Sequence, residues 1–325
     1  MTKVLIIGGG GMVGQKLAHR IARSGLPGMA EPEVTLYDIA FPDTGAPAHH
    51  RITGDLSAPG AAEAIAELRA DVVFHLAAIV SGAAEADFDL GWRINGHAFW
   101  AFLEAMRTVN EASEGDYRAK VIFTSSIAVF GPPYPDRIGD EFLASPQTSY
   151  GAQKAMAEIL LQDYSRKGFV DGLSIRLPTI CVRPGKPNKA ASSFFSGIIR
   201  EPLAGQEAIL PVPRSVRHWH ASPRSAAGFL SHAAGLDFDG LDGRRVLNLP
   251  GVSCTVEEQI EALREVAGSK VVELIREEPD ETIQRIVFGW PRNFDPARAI
   301  ELGFTADQSF RSIIDTYIAE DMPRD

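Results

Sequence analysis

The chain has 325 residues, 45% of them hydrophobic and 23% charged, with a formal net charge of −10. This length fits one large α/β domain or a domain with a smaller appendage, and the balance is that of a globular chain rather than a disordered one. The acidic charge argues against nucleic acid or an anionic membrane as a partner. No run approaches the roughly eighteen apolar residues of a membrane span, and the amino terminus lacks a secretory layout. Cys181 and Cys254 cannot build a disulfide framework, and their spacing fits no metal site. The expectation is a cytoplasmic protein with reduced cysteines and no metal.

Residues Lys3 to Gly14 read strand, glycine turn, helix, with the spacing Gly8-x-x-Gly11-x-x-Gly14. Glycines let a backbone approach a pyrophosphate closely, and the phosphate then meets the positive helix end, here the amides of Met12 and Val13. The next strand, Glu33 to Asp38, ends in an acid about twenty residues past the last glycine, the register for ribose recognition. A carboxylate there accepts from ribose hydroxyls and repels a 2′-phosphate. No arginine follows in Ile39 to Pro42, which favours NAD over NADP. A short strand ending at Asp55-Leu56, a helix over 60–69 and the apolar strand leading to Ala77-Ala78 come next. Continuous apolar strands alternating with helices imply a parallel sheet covered on both faces.

Ser81 falls in a small, polar segment suited to a loop over a ligand. Asn95 stands in an otherwise apolar helix and needs buried partners; read alone, it bonds neighbouring backbone. The buried strand from Lys120 ends in Ser125-Ser126, and Ser149-Tyr150-Gly-Ala-Gln-Lys154 opens a helix that continues to about Gly168. Tyr150 and Lys154 then lie one turn apart on one face. An ammonium beside a phenol favours the phenolate; moving a tyrosine from about 10 to about 7 requires roughly 4 kcal/mol. Such a tyrosine can take a proton from an alcohol while a cofactor takes the hydride, and a serine at the strand end can hold the same oxygen. Between these segments, residues 131–147 form a proline-rich loop bordering the pocket.

After the strand Leu173–Pro178 the pattern changes at Thr179. Residues 181–223 are irregular and carry Arg183, in the run 182–188, and Arg217, candidates for an anionic substrate. His218 and His220 flank Trp219 and are expected to point to opposite sides of an extended segment, which does not suit one metal ion. The division expected is a dinucleotide-binding domain over 1–180 with a return segment near 215–235. A smaller substrate domain takes 181–214 and 236–325.

The ordered set Gly8-x-x-Gly11-x-x-Gly14, Asp55-Leu56, His75-Leu-Ala-Ala78, Asn95-Gly96, Ser125-Ser126, Val129-Phe-Gly131 and Tyr150-x-x-x-Lys154 resembles the extended short-chain dehydrogenase/reductase family over essentially the whole chain. The resemblance implies a Rossmann-type doubly wound α/β fold with a smaller, mostly C-terminal substrate domain, and NAD as cofactor. It implies that Ser126, Tyr150 and Lys154 are catalytic, that Lys154 bonds the nicotinamide ribose, and that Asn95 supports a proton-relay water. It also implies a homodimer through a four-helix bundle built from the helices bearing Asn95 and Tyr150. Nucleotide-sugar epimerases of this family carry an asparagine where this chain has Thr179. Of their later Arg-Asp-Tyr-Ile-His pattern only Arg217 is kept. The chain resembles more the dehydrogenases that oxidise a four-carbon sugar acid at its C2 hydroxyl with NAD. That substrate leads to the contacts expected of Ser81, Ser126, Tyr150, Thr179, Arg183 and Arg217, with one of the last two on the carboxylate. An epimerase or dehydratase with tightly bound NAD, and a regulator that kept the fold without the chemistry, are the alternatives.

Overall fold

The computed structural model describes residues 1–185, 191–241 and 243–323, so positions 186–188 of the expected arginine-bearing loop lie outside the described residues. The chain divides into two compact units. One is Met1–Val129, Thr148–Arg176 and Ala227–Leu247; the other is Phe130–Gln147, Leu177–Ala226 and Asn248–Asp325.

The first unit is built on seven strands: β1 (Thr2–Ile7), β2 (Pro32–Asp38), β3 (His50–Thr53), β4 (Val72–His75), β5 (Lys120–Ser126), β6 (Asp171–Leu177) and β7 (Val246–Asn248). Their order across the sheet is β7-β6-β5-β4-β1-β2-β3. β1 runs parallel to both β2 and β4, with Val4 opposite Val34 on one side and Val72 on the other. The direction of winding reverses between β1 and β4, which opens a crevice at the carboxyl ends of the strands, where doubly wound sheets bind ligands. Residues 4–7 and 72–75 are all buried, as expected for strands covered on both faces. The helices that bear on the site are α1 (Met12–Ser24), α2 (Ala61–Glu67), α3 (Ala98–Ala112) and α4 (Ser149–Arg166). Phe99 and Phe102 of α3, Val121 and Phe123 of β5, and Ala157 and Leu161 of α4 share one core with α2.

The second unit holds a three-stranded sheet in which Arg217–Ala221 pairs parallel with Thr179–Ile180 and antiparallel with Val252–Thr255. Helices Ser193–Leu203, Val256–Ala267 and Phe310–Glu320 close its core through Phe195, Ile198, Ile260, Leu263, Ile313 and Ile314. Thr255 starts the second of these with a capping box to Glu258.

Two sequence expectations need correction here. The proline-rich loop 130–147 packs within the second unit rather than the first, because Phe130 meets Phe142 and Phe294 at ring distances of 5.7 and 5.8 Å, and Tyr134 donates to the Gly289 carbonyl at 2.8 Å. His218 and His220 do not face opposite ways. Side chains two apart on a strand share a face, and the two rings lie 5.3 Å apart, packed on Phe195.

Candidate active site

The turn after β1 is shaped by contacts that exclude any side chain. Gly8 has φ +89°, and a Cβ there would lie 2.6 Å from the Ala77 amide nitrogen. A Cβ at Gly14 would fall 2.3 Å from the Gly8 carbonyl oxygen, and one at Gly10 would fall 2.0 Å from that of Ala40. Gly11 is the N-cap of α1 with no side-chain acceptor, and the first turn carries no acid. The helix start, with Met12 and Val13 in its first turn, is thus left open to an anion. Ala77 and Ala78 follow β4 alongside this turn, Ala77 donating to the Ile7 carbonyl at 3.0 Å.

Asp38 ends β2 with its carboxylate held by two amides, from Gly10 at 2.9 Å and from Ile39 at 2.7 Å. Asp55 accepts from both the amide and the hydroxyl of Ser57, each at 2.8 Å, and the Ser57 amide bond leads in holding its carboxyl below the usual range. Leu56 beside it is buried. These residues fit a dinucleotide: an uncapped helix start for the pyrophosphate, a cradle a Cβ would fill, and a fixed carboxylate for ribose hydroxyls.

The second cluster stands on β5 and α4. Thr148 caps α4 by accepting from Gly151 at 3.1 Å, so the helix opens one residue before Tyr150. Lys154 sits one turn on, buried, with its Nζ 5.7 Å from the centre of the Tyr150 ring and 4.5 Å from that of Phe123. It donates to the Thr124 carbonyl at 2.7 Å. Burial pushes the Lys154 ammonium down to about 7, and the charge of Glu158 opposes that fall. Ser125 and Ser126 separate: Ser125 is buried and donates to Glu158, whereas the Ser126 hydroxyl accepts from the Ala128 amide at 3.1 Å.

Asn95 lies in a short π-helical segment, Trp92–His97, that leads into α3. Its amide clamps the Ile79 backbone, accepting from the nitrogen at 2.8 Å and donating to the oxygen at 3.0 Å, and it donates to Gln153 at 2.8 Å. Asn95 therefore ties the segment before Ser81, the first residue of a short helix over Ser81–Ala86, to the helix of Tyr150 and Lys154.

In the second unit, Thr179 and His218 share a hydrogen bond of 2.7 Å. Arg183 donates to the Ile180 carbonyl and to Ser192, contacts that brace its own loop. Arg217 donates to the Ser253 carbonyl and pairs with Glu258, both at 3.1 Å. Its side chain remains 38% exposed and lines a cavity of about 440 Å³ with Arg292, Asn293, Tyr134 and Phe288. Among the described residues no cluster has the makings of a metal site, and no helix is long and apolar enough to cross a membrane.

Residues 4–221 match the model of the NAD dependent epimerase/dehydratase family. The chain belongs to the NAD-dependent epimerase/dehydratase family. NAD is its cofactor, and it is an enzyme acting on a CH–OH group. It is similar to the D-erythronate dehydrogenase of Cupriavidus necator, 46% identical over 323 residues and 98% of each chain. It is similar also to the D-erythronate dehydrogenase of Haemophilus influenzae, 42% identical over 98% of this chain and 100% of that one. The crystal structure of a nucleoside-diphosphate-sugar epimerase from Agrobacterium tumefaciens is 56% identical, with a TM-score of 0.93 over 98% of this chain and 94% of that one.

Within this family member, three residues of the cluster escaped the sequence. Gln153, fully buried, partners Asn95, and its position directly before Lys154 was the available signal. Glu158 follows Lys154 by four residues and so shares its face of the helix. Arg176, within the strand expected over Leu173–Pro178, forms a doubly bonded ion pair with Glu158 at 2.9 and 2.7 Å.

Proposed function

We propose that this enzyme oxidises the C2 hydroxyl of a short sugar acid, D-erythronate first, to the 2-keto acid. The observation that carries the reading is the full-length similarity to two D-erythronate dehydrogenases, combined with a Tyr150–Lys154 pair on one helix face, the lysine anchored to the Thr124 carbonyl of the strand that ends in Ser126. Tyr150 takes the hydroxyl proton, Ser126 holds the same oxygen, and Lys154 stabilises the phenolate and bonds the nicotinamide ribose. NAD, when bound, accepts the hydride from C2. Gly8, Gly11, Met12, Val13 and Gly14 bind the pyrophosphate; Asp38 binds the adenosine ribose; Asp55, Leu56, Ala77 and Ala78 complete the dinucleotide site. Asn95 positions α4 and supports a relay water with the second lone pair of its oxygen.

Arg217 is the first choice for the substrate carboxylate, since a guanidinium grips a carboxylate through two parallel bonds. Arg183, in the loop after Thr179, ranks second, because Arg217 stands at the position that meets an anion in relatives and borders a cavity. Ser81 and Thr179 contact the substrate hydroxyls. We further infer a cytoplasmic homodimer through α3 and α4. Trp100 on α3 and Ile159 on α4 are 52% and 71% exposed, large apolar surfaces that a second copy would cover.

The test is a screen of four-carbon aldonates and nucleotide-linked sugars, following NADH absorbance. NADH formation with D-erythronate supports the reading; silence toward every aldonate rejects it. The name of the Agrobacterium relative favours a second reading, a nucleotide-sugar epimerase, for which the same screen would give interconversion of a nucleotide sugar with no net NADH. Thr179, where such enzymes carry an asparagine, weighs against it.

A further inference from the structure

Beneath the helix that carries Tyr150 lies a buried ion pair that the proposed chemistry does not use. Glu158 and Lys154 leave the same face of α4, and both are buried. The Glu158 carboxylate takes two bonds from Arg176, Nε to Oε1 at 2.9 Å and Nη2 to Oε2 at 2.7 Å, and a third from the Ser125 hydroxyl. Thr124, the residue before Ser125, accepts the Lys154 ammonium through its carbonyl. Consecutive residues of β5 thus anchor the lysine and the glutamate, while Arg176 on the neighbouring strand β6 fixes the carboxylate from the other side.

A buried ion pair is a poor stabilising device, because desolvation offsets most of its attraction and apolar residues of similar volume often do as well. The side chains of Arg176 and Glu158 are only 11% and 4% exposed, so the pair bears that cost in full. What it does have is a neighbour in need of a negative charge. Among the described residues, the groups facing Lys154 are Tyr150 and Glu158 from α4, Phe123 and the Thr124 carbonyl from β5, and His75 from β4. His75 is neutral there, held near 3 by burial first and by Lys154 second. Glu158 is the anion of this set.

We propose that Glu158, locked in place by Arg176 and Ser125, is a positioning residue that keeps the Lys154 ammonium charged beside Tyr150. The inference rests on reading Tyr150 and Lys154 as the reacting pair. Its consequence is electrostatic: without the carboxylate, the buried lysine gives up its proton at lower pH. Uptake of the substrate proton by Tyr150 then requires a higher pH.

The test uses the full chain with Glu158→Gln, which keeps the shape, and Glu158→Gln/Arg176→Met, which also removes the arginine left without its partner. In the protein without NAD, NMR of carbon-labelled lysine, with Lys154 assigned from Lys154→Met, follows the titration directly. Glu158→Gln, which leaves the Arg176 charge unopposed, should titrate at Lys154 about one to three pH units below the parent, and the double variant should move the same way by less, because it removes a positive charge as well. In the loaded enzyme, the acid limb of kcat/KM against pH should move up, and Glu158→Asp, which retains the charge, should restore most of the shift. If Lys154 and the pH limb both match the parent in Glu158→Gln, with only thermal stability changed, the pair is structural and the proposal is overturned. This outcome is distinct from failure of the reaction assignment, which would appear as activity surviving Tyr150→Phe.

Discussion

Asp38 uses both carboxylate oxygens on backbone amides, Oδ2 on Gly10 and Oδ1 on Ile39, so its charge is fixed at the end of β2. A 2′-phosphate brought to this position would meet a carboxylate that cannot swing away. Asp38→Ser with Ile39→Arg should therefore move the preference toward NADP, measured as the ratio of kcat/KM for the two cofactors. Equal use of both by the parent would contradict the role given to Asp38. Tyr150→Phe should lower kcat by at least about 10²–10⁴-fold with NAD binding nearly unchanged by fluorescence titration, because it removes the base and not the pyrophosphate site. The Gly8, Asp38, Tyr150 and Lys154 signals were legible because each sits at a fixed spacing from a strand or helix end. Glu158 was not: a single glutamate between Ala157 and Ile159 gives no sign of its role until Arg176 and Ser125 are seen beneath it.

At the scale of elements, the turn between β1 and α1 tolerates no side chain at Gly10, where a Cβ would lie 2.0 Å from the Ala40 carbonyl oxygen and 3.1 Å from the Asp38 carboxylate. Gly10→Ala must push the segment after β2 outward and Asp38 with it. The expected result is a loss of NAD affinity larger than the loss of melting temperature, read by calorimetric titration and thermal unfolding on the same sample. The strands and the Tyr150 helix follow from apolar runs and capping residues, such as Thr148 ahead of α4. Two elements do not. The π-helical turn at Trp92–His97 has no signature in residue type, and Asn95 within it bonds the Ile79 backbone, sixteen residues earlier. The loop 131–147 was legible as a proline-rich turn segment, and its unit was not. Its membership of the second depends on contacts of Phe130 and Tyr134 with residues some 150 positions later, which no local pattern encodes.

Across the whole molecule, three histidines are buried in the neutral state. His75 is held near 3 and His218 near 4, with burial as the main cause, and His220 is also driven well down by burial. Their folded values lie below the unfolded value of about 6.5, so between the two the unfolded chain binds protons that the native chain does not. Stability should be full above about pH 6.5 and fall as the pH drops toward 4, by on the order of a few kcal/mol for each histidine. Thermal melts from pH 7.5 to 4.5 check this, and His75→Leu should flatten the dependence, since both ring nitrogens of His75 lack a partner among the described residues. A melting temperature constant over that range would contradict it. The change of pattern at Thr179 lies near the start of the second unit at Leu177, but the return to the first unit is Ala227–Leu247 and not the expected 215–235. The central claim, that a hydride leaves C2 of a free sugar acid for good, is tested most directly with D-erythronate deuterated at C2. The account predicts one deuterium in the reduced cofactor for each 2-keto acid formed. Deuterium retained in the carbohydrate with no NADH accumulating, or turnover confined to nucleotide sugars, would contradict it.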